Sequence, residues 1–327
     1  MKYFSMFSGI GGFEYGLQQS EHDFECVGYS EIDRYAVSIY ERHYPNHTNY
    51  GDATRIDTKN LPDFEFLVGG FPCQAFSIAG KRKGFNEARG TLFFEIARIL
   101  RDKQPSYFLL ENVKGLLSHE GGETLETIFR VCDELGYDVS WKIYNSRDYG
   151  VPQHRERIFI KGYNRKKCGQ EVLSQFGTIT ETIVREGGEL IQINNYKETT
   201  QSNRVYDGNG LSITLNASGN NGIYMIDDNK GVTTTTTNDF FAVTTRCRQR
   251  PLSKKQDNYV FEGKSVRRLT PVECERLQGF EDNWTKYGKD DELISDTQRY
   301  KCCGNAVTTN VITAIVNEMF NGVINYE

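Results

Sequence analysis

The sequence Gly-Phe-Pro-Cys-Gln at residues 70–74 contains the residue types that covalent catalysis requires. It follows an apolar run, residues 64–68, that is typical of a buried strand. Cys73 is therefore predicted on a loop at the carboxyl end of a strand, where open α/β sheets place their chemistry. A cysteine attacks as its thiolate, which requires a site that favours the ionised form. These five residues alone leave a buried structural cysteine equally open.

A second motif, Phe-Ser-Gly-Ile-Gly-Gly at residues 7–12, lies between a short apolar strand candidate and a helical pattern. Glycines in such a loop allow a tight turn and a close approach of the backbone to a nucleotide. Glu31 follows about 20 residues later, at the end of a second strand candidate, where an acid that binds ribose is expected. Asp52 is predicted near the end of a further strand, where it can accept a base amino group. Together these residues describe an adenosine pocket.

A nicotinamide enzyme is the alternative reading of this pocket. The glycine spacing is GxGG rather than GxGxxG, and no residues suited to hydride transfer follow. The pattern therefore disfavours a dinucleotide cofactor.

The elements that position these residues follow from hydrophobic periodicity. Apolar strand candidates alternate with helical patterns over residues 1–165, which predicts an α/β fold with a doubly wound, mostly parallel sheet. Residues 168–265 are rich in Asn, Thr and Gly and favour a second, smaller, β-rich domain. Helical patterns return at 270–278 and at 307–320, the first with Thr270 as N-cap and Pro271 at the first helical position.

Composition bounds the class of protein. The chain has 327 residues, of which 38% are hydrophobic, and no apolar run approaches the roughly 20 residues that cross a bilayer. Because the first residues run directly into a strand and glycine motif, no signal peptide is expected, and we predict a cytoplasmic protein without membrane contact. The eight cysteines include no CxxC pair, so neither a metal site nor a disulfide framework is expected.

Charge is distributed unevenly along the chain. The net charge is −5, yet residues 244–268 contain eight basic and two acidic residues. A basic segment on an acidic body suits a polyanion, although a solvated loop remains equally open on charge alone.

Taken in order, these motifs resemble those of bacterial and phage DNA cytosine-5 methyltransferases. The resemblance covers residues 1–165 and 265–327. The matching segments are residues 7–13, Glu31, Asp52, 70–74, 111–113, 153–157, 268–280 and 304–307. It implies a Rossmann-like methyltransferase sheet that uses S-adenosylmethionine and releases S-adenosylhomocysteine.

The resemblance also implies a catalytic mechanism. Cys73 would add to C6 of cytosine and make C5 nucleophilic, which is covalent catalysis. Glu111 would act as the acid near N3, and Arg155 and Arg157 would hold the base and the glutamate. The base that removes the C5 proton is not identified.

Further site residues carry over from the same family. Ile32 departs from it, since many members have an aromatic residue there; an isoleucine still packs against adenine, with less π-contact. The residues implied in cofactor binding are Phe7, Ile10, Gly12, Glu31, Ile32, Asp52, Pro72, Leu92, Asn305 and Val307.

A cytosine must leave the duplex to reach a thiol, so double-stranded DNA is the expected partner. The basic segment 77–89 resembles the family's loop that closes over the flipped base. Residues 199–206 and 214–215 resemble a recognition segment of shorter members, with an ordinary hairpin as the alternative. The implied DNA contacts are Ser77, Lys81, Arg89, Gln201, Arg204, Thr214, Arg246, Arg248 and Arg250.

The resemblance divides the chain into functional parts. Residues 1–166 and 290–327 would form the catalytic domain, 167–266 the target-recognition domain, and 267–289 a hinge segment between them. We expect a monomer, with a separately encoded restriction endonuclease as a candidate partner that shares the DNA site. Two other functions stay open: an RNA (tRNA) cytosine-5 methyltransferase, and a catalytically silent DNA-binding accessory protein.

Overall fold

The computed structural model describes residues 1–72, 92–168, 185–186, 189–190, 212–213, 259–262 and 265–321. The strands of this part of the chain are β1 (Lys2–Met6), β2 (Glu25–Ser30), β3 (Phe66–Gly70), β4 (Tyr107–Val113), β5 (Tyr137–Asn145), β6 (Gln153–His154), β7 (Glu156–Asn164), β8 (Arg185–Glu186), β9 (Glu189–Leu190), β10 (Ser212–Ile213), β11 (Tyr259–Glu262) and β12 (Ser265–Arg268).

A six-stranded sheet with the order β2-β1-β3-β4-β7-β5 forms the centre of the molecule. The first four strands of this order run parallel, and β7 pairs antiparallel with both β4 and β5. The predicted α/β, mostly parallel sheet is confirmed. Because β2 and β3 lie on opposite sides of β1, the carboxyl end of β1 is a topological switch point, where such sheets bind ligands.

Strand β5 is not predicted by the sequence pattern. Polar residues at Asp138, Ser140 and Lys142 interrupt its apolar character. The strand forms because its backbone pairs with β7 from Tyr137 to Asn145 at the edge of the sheet, where one row of side chains reaches solvent.

Helices cover both faces of the sheet. None of those described is both long and apolar enough to cross a bilayer. The helices are α1 (Gly12–Gln18), α2 (Arg34–His43), α3 (Leu92–Lys103), α4 (Glu123–Glu134), α5 (Arg165–Cys168), α6 (Pro271–Leu277), α7 (Asp296–Asn305) and α8 (Thr309–Phe320).

The helices confirm the predicted periodic segments, with two additions, the short α5 and the longer α7. Helix α7 is not predicted, since its sequence has few apolar residues at helical spacing. It is held instead by its neighbours: Tyr300 and the two cysteines that follow are buried, and the Tyr300 hydroxyl donates to the Leu269 carbonyl at 2.6 Å.

The two faces of the sheet carry separate hydrophobic clusters, because successive side chains of a strand point to opposite sides. Phe4 and Leu67 pack with α3 and α4 on one face. Phe66 and Val68 pack with α8 on the other. The last helix of the described chain therefore packs, together with α1, against one face of the sheet.

Residues 269–294 are anchored to the first glycine motif. Helix α6 begins as predicted, with Thr270 and Glu273 forming a reciprocal capping box and Pro271 in the first turn. Beyond it, the Trp284 ring stacks on His43 with centroids 3.5 Å apart, and its indole N–H donates to the Ile10 carbonyl at 3.0 Å. This segment thus forms part of the wall behind the glycine loop.

Candidate active site

Three predicted motifs meet at the carboxyl edge of the sheet. Met6 pairs with Gly69, and Gly70 pairs with Glu111, so β1, β3 and β4 end at the same level. The glycine loop after β1 and the Phe71–Pro72 segment after β3 are therefore neighbours of the Glu111 side chain. The fold brings these separate sequence motifs into one crevice.

The glycine loop contains backbone conformations with positive φ angles, which favour glycine. Gly9 and Gly11 have φ angles of 57° and 87°, and Phe7 adopts a φ of 56°, which is uncommon for an aromatic residue. Gly12 starts α1, and a Cβ atom built on it would lie 2.8 Å from Cγ2 of Val307. A side chain there would collide, so glycine allows the loop to pack against Val307.

The Glu31 carboxylate is fixed by backbone amides at the end of β2. Its Oε2 accepts from Gly9 N at 2.9 Å, and its Oε1 accepts from the amides of Ile32 and Asp33, each at 2.8 Å. Beside it the Ile32 side chain is 73% exposed, in contrast to the buried isoleucines of the core. An acid and an open apolar surface thus lie side by side at the switch point.

Asp52 follows a shorter element than the sequence predicts. A single bridge between Tyr29 and Asn49 replaces the expected strand, since Gly51, with a φ of 68°, turns the chain immediately afterwards. Asp52 instead caps a short 3₁₀ helix, Ala53–Arg55, and accepts from Thr54 N and Oγ1 at 2.9 and 2.8 Å. These hydrogen bonds from Thr54 lower the pKa of Asp52.

The remaining predicted cofactor residues occupy different surroundings. The Ile10 side chain is fully buried with Tyr29 and Tyr40, so contact with a cofactor would come from its backbone. Leu92 is half-buried at the start of α3, and Pro72 and Asn305 are exposed. Val307, from the C-terminal part of the chain, borders the same crevice as the N-terminal motifs. A Cβ built on Gly70 would lie 3.8 Å from the Val307 Cγ1 atom.

Glu111 and Arg157 form a buried ion pair at the edge of the sheet. The distance from Arg157 Nε to Glu111 Oε1 is 2.9 Å, and the two side chains are 9% and 11% exposed. The other carboxylate oxygen of Glu111 faces Gly70, where a Cβ would lie 3.1 Å from it. Burial lowers the pKa of Arg157, and the charge of Glu111 opposes this shift. The pair therefore presents its carboxylate to the loop after β3.

Arg155 lies behind this pair and is also buried. Its Nη2 donates to the Ala306 carbonyl at 2.8 Å. Burial lowers its pKa, and the neighbouring charge of Arg157 lowers it further. Two guanidinium groups, which only donate hydrogen bonds, lie beside one carboxylate, and such groups suit a ligand with carbonyl oxygens.

Asn112 connects β4 to the loop that leads to Cys73. Its side-chain amide donates to the Phe71 carbonyl at 2.9 Å, and its Oδ1 accepts from Val113 N at 2.8 Å. Sequence reasoning includes Asn112 in a motif but gives it no role. Its contact fixes the loop next to Glu111, so that Pro72 leaves the sheet beside the carboxylate.

Cys73 and the predicted DNA contacts lie outside the described residues. Pro72 is the last described residue before Cys73. Within the part of the chain that the structure covers, no group of three His, Cys, Asp or Glu side chains is arranged to hold a metal ion. The predicted contacts outside it are Ser77, Lys81, Arg89, Gln201, Arg204, Thr214, Arg246, Arg248 and Arg250.

Comparison with known protein families gives a match over residues 1–321 to the model described as C-5 cytosine-specific DNA methylase. The chain is 39% identical over 319 residues to the type II methyltransferase M1.ScrFI of Lactococcus lactis subsp. cremoris, covering 97% of this chain and 77% of that protein. It is 33% identical over 344 residues to the type II methyltransferase M.HhaI of Haemophilus parahaemolyticus, covering 96% and 93%.

Solved structures show the same fold at low sequence identity. The crystal structure of a DNMT2 mutant from Spodoptera frugiperda matches with a TM-score of 0.63 and 18% identity, over 98% of this chain and 99% of that one. The sheet and its helical layers are thus shared with a protein of very different sequence.

Proposed function

Because the chain belongs to the C-5 cytosine-specific DNA methylase family and is a DNA cytosine-5 methyltransferase, we propose that it works through a covalent bond between Cys73 and the target base. The observation that carries this proposal is the Glu111–Arg157 pair beside Gly70, at the strand end from which the chain leads to Cys73.

The residues around the glycine loop fit S-adenosylmethionine. When bound, this cofactor supplies an electrophilic methyl group on a sulfonium. Glu31 offers a carboxylate held by three amides, suited to a pair of ribose hydroxyls, and the exposed Ile32 offers an apolar surface to adenine. Gly12 lets the glycine loop pack closely against Val307. We assign Phe7, Ile10, Asp52, Pro72, Leu92, Asn305 and Val307 to the same pocket.

Catalysis then divides between one nucleophile and one acid. The Cys73 thiolate adds to C6, and the electron pair of the C5–C6 bond moves into the ring toward N3 and O2. Glu111 donates a hydrogen bond or its proton at N3 and thereby stabilises the charge that develops there. C5 becomes nucleophilic and would accept the methyl group as the bond from that methyl to the sulfonium sulfur breaks, which leaves S-adenosylhomocysteine. The C5 proton then leaves to solvent, and the C6–sulfur bond breaks to restore the aromatic ring and the thiolate.

The two arginines position the participants. Arg157 holds Glu111 through its Nε atom, so the carboxylate presents its second oxygen toward the base. Arg155 is anchored on the Ala306 carbonyl, and we assign it to hold the cytosine base. Both guanidinium groups are preorganised by burial, which makes their interaction with developing charge stronger than in water.

Double-stranded DNA is the proposed substrate, with residues 167–266 as the recognition domain, 267–289 as the hinge, and residues 1–166 and 290–327 as the catalytic domain. Flipping the cytosine costs about a few kcal/mol, which contacts to the strand would offset. The relatives are named type II methyltransferases, so we propose a role in restriction–modification, as a cytoplasmic monomer paired with a separate endonuclease that shares the DNA site.

The experiment compares the wild type with Cys73→Ala on plasmid DNA and tritiated S-adenosylmethionine, followed by bisulfite sequencing. Label should enter DNA with the wild type only, at cytosines of one short context. Cys168→Ala is the control, because this half-buried thiol lies in α5 and should leave the rate unchanged. Retention of activity by Cys73→Ala would overturn the covalent mechanism, and label in tRNA but not DNA would favour an RNA substrate.

A DNA substrate with 5-fluorocytosine tests the adduct itself. After methylation no proton remains at C5, and fluorine does not leave as a cation, so the Cys73–C6 bond should persist. A band of protein linked to DNA should then survive denaturing electrophoresis with the wild type and be absent with Cys73→Ala.

A further inference from the structure

Gln278 is a fully buried amide at the end of α6, and each of its polar atoms has a partner. Its Nε2 donates to the carbonyls of Cys303 and Ala306 at 2.7 and 3.3 Å. Its Oε1 accepts from Thr308 Oγ1 at 2.9 Å and from Gln153 Nε2 at 3.3 Å. A side chain with no exposed surface thus connects three separate segments of the chain.

The Ala306 carbonyl is shared between Gln278 and Arg155. Arg155 Nη2 donates to it at 2.8 Å, from the opposite side of the network. Ala306 lies between Asn305 and Val307, the two residues assigned to the cofactor pocket at this chain end. One carbonyl oxygen therefore links the residue that holds the base to the turn that borders the cofactor.

The Oε1 atom of Gln278 contacts the segment that contains Arg155. Gln153 donates to the Leu277 carbonyl at 2.7 Å as well as to Gln278, and the Gln153 carbonyl accepts from Arg155 N at 3.0 Å. Ser146 Oγ lies 2.8 Å from Thr308 Oγ1. Ser146 N donates to the Arg155 carbonyl at 3.0 Å, so this contact also leads to Arg155. Both sides of Gln278 are thus tied to Arg155 or its neighbours.

We propose that Gln278 is a positioning residue of the methyl transfer, which holds the 305–307 turn and Arg155 in one fixed arrangement. This inference rests on the proposed function for the roles of Arg155 and the turn. An amide is required because the position needs two donors and an acceptor at once. A carboxylate would face two carbonyl oxygens without a proton, and an apolar side chain would leave buried polar groups without partners.

The test compares Gln278→Met with Glu275→Gln. Methionine keeps the unbranched shape and removes both polar ends. Glu275 lies one turn earlier on α6, is equally buried, and bonds to Asn283, Thr285 and Arg299 but not to residues 303–308. It is therefore a matched control for loss of a buried hydrogen-bond network on the same helix. Melting temperature, kcat, the KM for each substrate, and the Kd for S-adenosylhomocysteine are measured for both.

Gln278→Met should weaken S-adenosylhomocysteine binding and lower kcat, each by about tenfold, because small displacements of positioned groups have large effects. The KM for DNA should change by less than about twofold. Glu275→Gln should lower the melting temperature and leave the Kd and kcat near those of the wild type. Unchanged Kd and kcat in Gln278→Met, or equal changes in Glu275→Gln, would overturn the proposal.

Thr308→Val provides a second variant should Gln278→Met fold poorly. Valine keeps the branched shape of threonine and removes the donor to Gln278 Oε1, so the same two quantities should change in the same direction, by less. The binding measurement needs no turnover. The binding measurement therefore tests the positioning role of Gln278 even if the Cys73→Ala experiment overturns the covalent mechanism.

Discussion

Among the described residues, two glutamate–arginine pairs are buried, one at the carboxyl edge of the sheet and one in the C-terminal helical segment. Glu275 accepts from Asn283 N at 2.7 Å, from Thr285 N at 2.9 Å, from the Thr285 hydroxyl and from Arg299 Nη2 at 3.0 Å. Glu111 has Arg157 on one oxygen and turns the other toward Gly70. The first carboxylate is saturated by the protein, whereas the second keeps an oxygen directed at the crevice.

This difference distinguishes a carboxylate that stabilises the fold from one that can act on a ligand. A buried ion pair stabilises a fold only when further hydrogen bonds offset the loss of hydration, and Glu275 has them. A group that must act on a ligand has to keep part of its bonding capacity for that ligand. The number of partners inside the protein, more than the depth of burial, distinguishes the two sites.

The largest effect should come from Glu111→Gln. Glutamine keeps the shape and a hydrogen bond to Arg157 but has no acidic proton for N3, so kcat should fall by about 10²- to 10⁴-fold. Binding of S-adenosylhomocysteine should persist. Single-turnover methylation and equilibrium binding measure the two quantities, and a kcat equal to that of the wild type would remove Glu111 from the mechanism.

Glu275→Gln should produce the opposite pattern. Replacing the charge leaves the buried Arg299 with only the 3.4 Å contact to Asp296 as an ion pair, which should lower the free energy of unfolding by up to about 3 kcal/mol. The rate of methylation should stay unchanged at temperatures where the protein is folded. Urea denaturation followed by circular dichroism gives the first value, and a loss of kcat without a loss of stability would contradict the comparison.

A third buried carboxylate sharpens the contrast. Glu14 in α1 is fully buried, its oxygens have no hydrogen-bond partner within the described residues, and burial raises its pKa to about 7, although the nearby Ser5 and Tyr40 hydroxyls act in the other direction. Among the described residues, no cation forms an ion pair with it. It therefore shows what burial does when no cation offsets the loss of hydration.

The sign of its effect on stability follows from this shift. The folded protein binds the Glu14 proton more tightly than the unfolded chain, whose group titrates near 4.5, so stability should fall as the pH rises from about 4.5 to about 7. Glu14→Gln should remove this slope and stabilise the protein at pH 8 by up to about 3 kcal/mol. Denaturation across this pH range measures how the free energy of unfolding depends on pH. The control is Glu21→Gln, which replaces an exposed glutamate and should keep the slope. A slope retained by Glu14→Gln would refute its assignment to Glu14.

Sequence reasoning locates the site by its motifs but not by its contacts. The strands around Phe66 and Tyr107 are predictable because parallel strands buried on both faces form continuous apolar runs. Asp52 departs from the prediction because Gly51 turns the chain after a single bridge. The pairing of Glu111 with Arg157 depends on an antiparallel register between β4 and β7, which short-range patterns do not specify.

Gln278 illustrates the same limit. Its sequence neighbours predict only the end of a helix, and its partners lie about 30 and 125 residues away along the chain. The signal available in the sequence is an amide at the end of an otherwise well-capped helix. The network itself becomes visible only when the distant segments are placed together.

The last helix has a consequence for how the protein is made. Val311, Ile315 and Met319 cover a sheet face whose strands all lie within the first half of the chain. During synthesis, that apolar face leaves the ribosome more than 140 residues before this last helix does. Contacts of such long sequence separation form slowly and leave hydrophobic surface open to aggregation or to chaperones. Expression at lower temperature, or with chaperones present, should therefore raise the yield of folded enzyme.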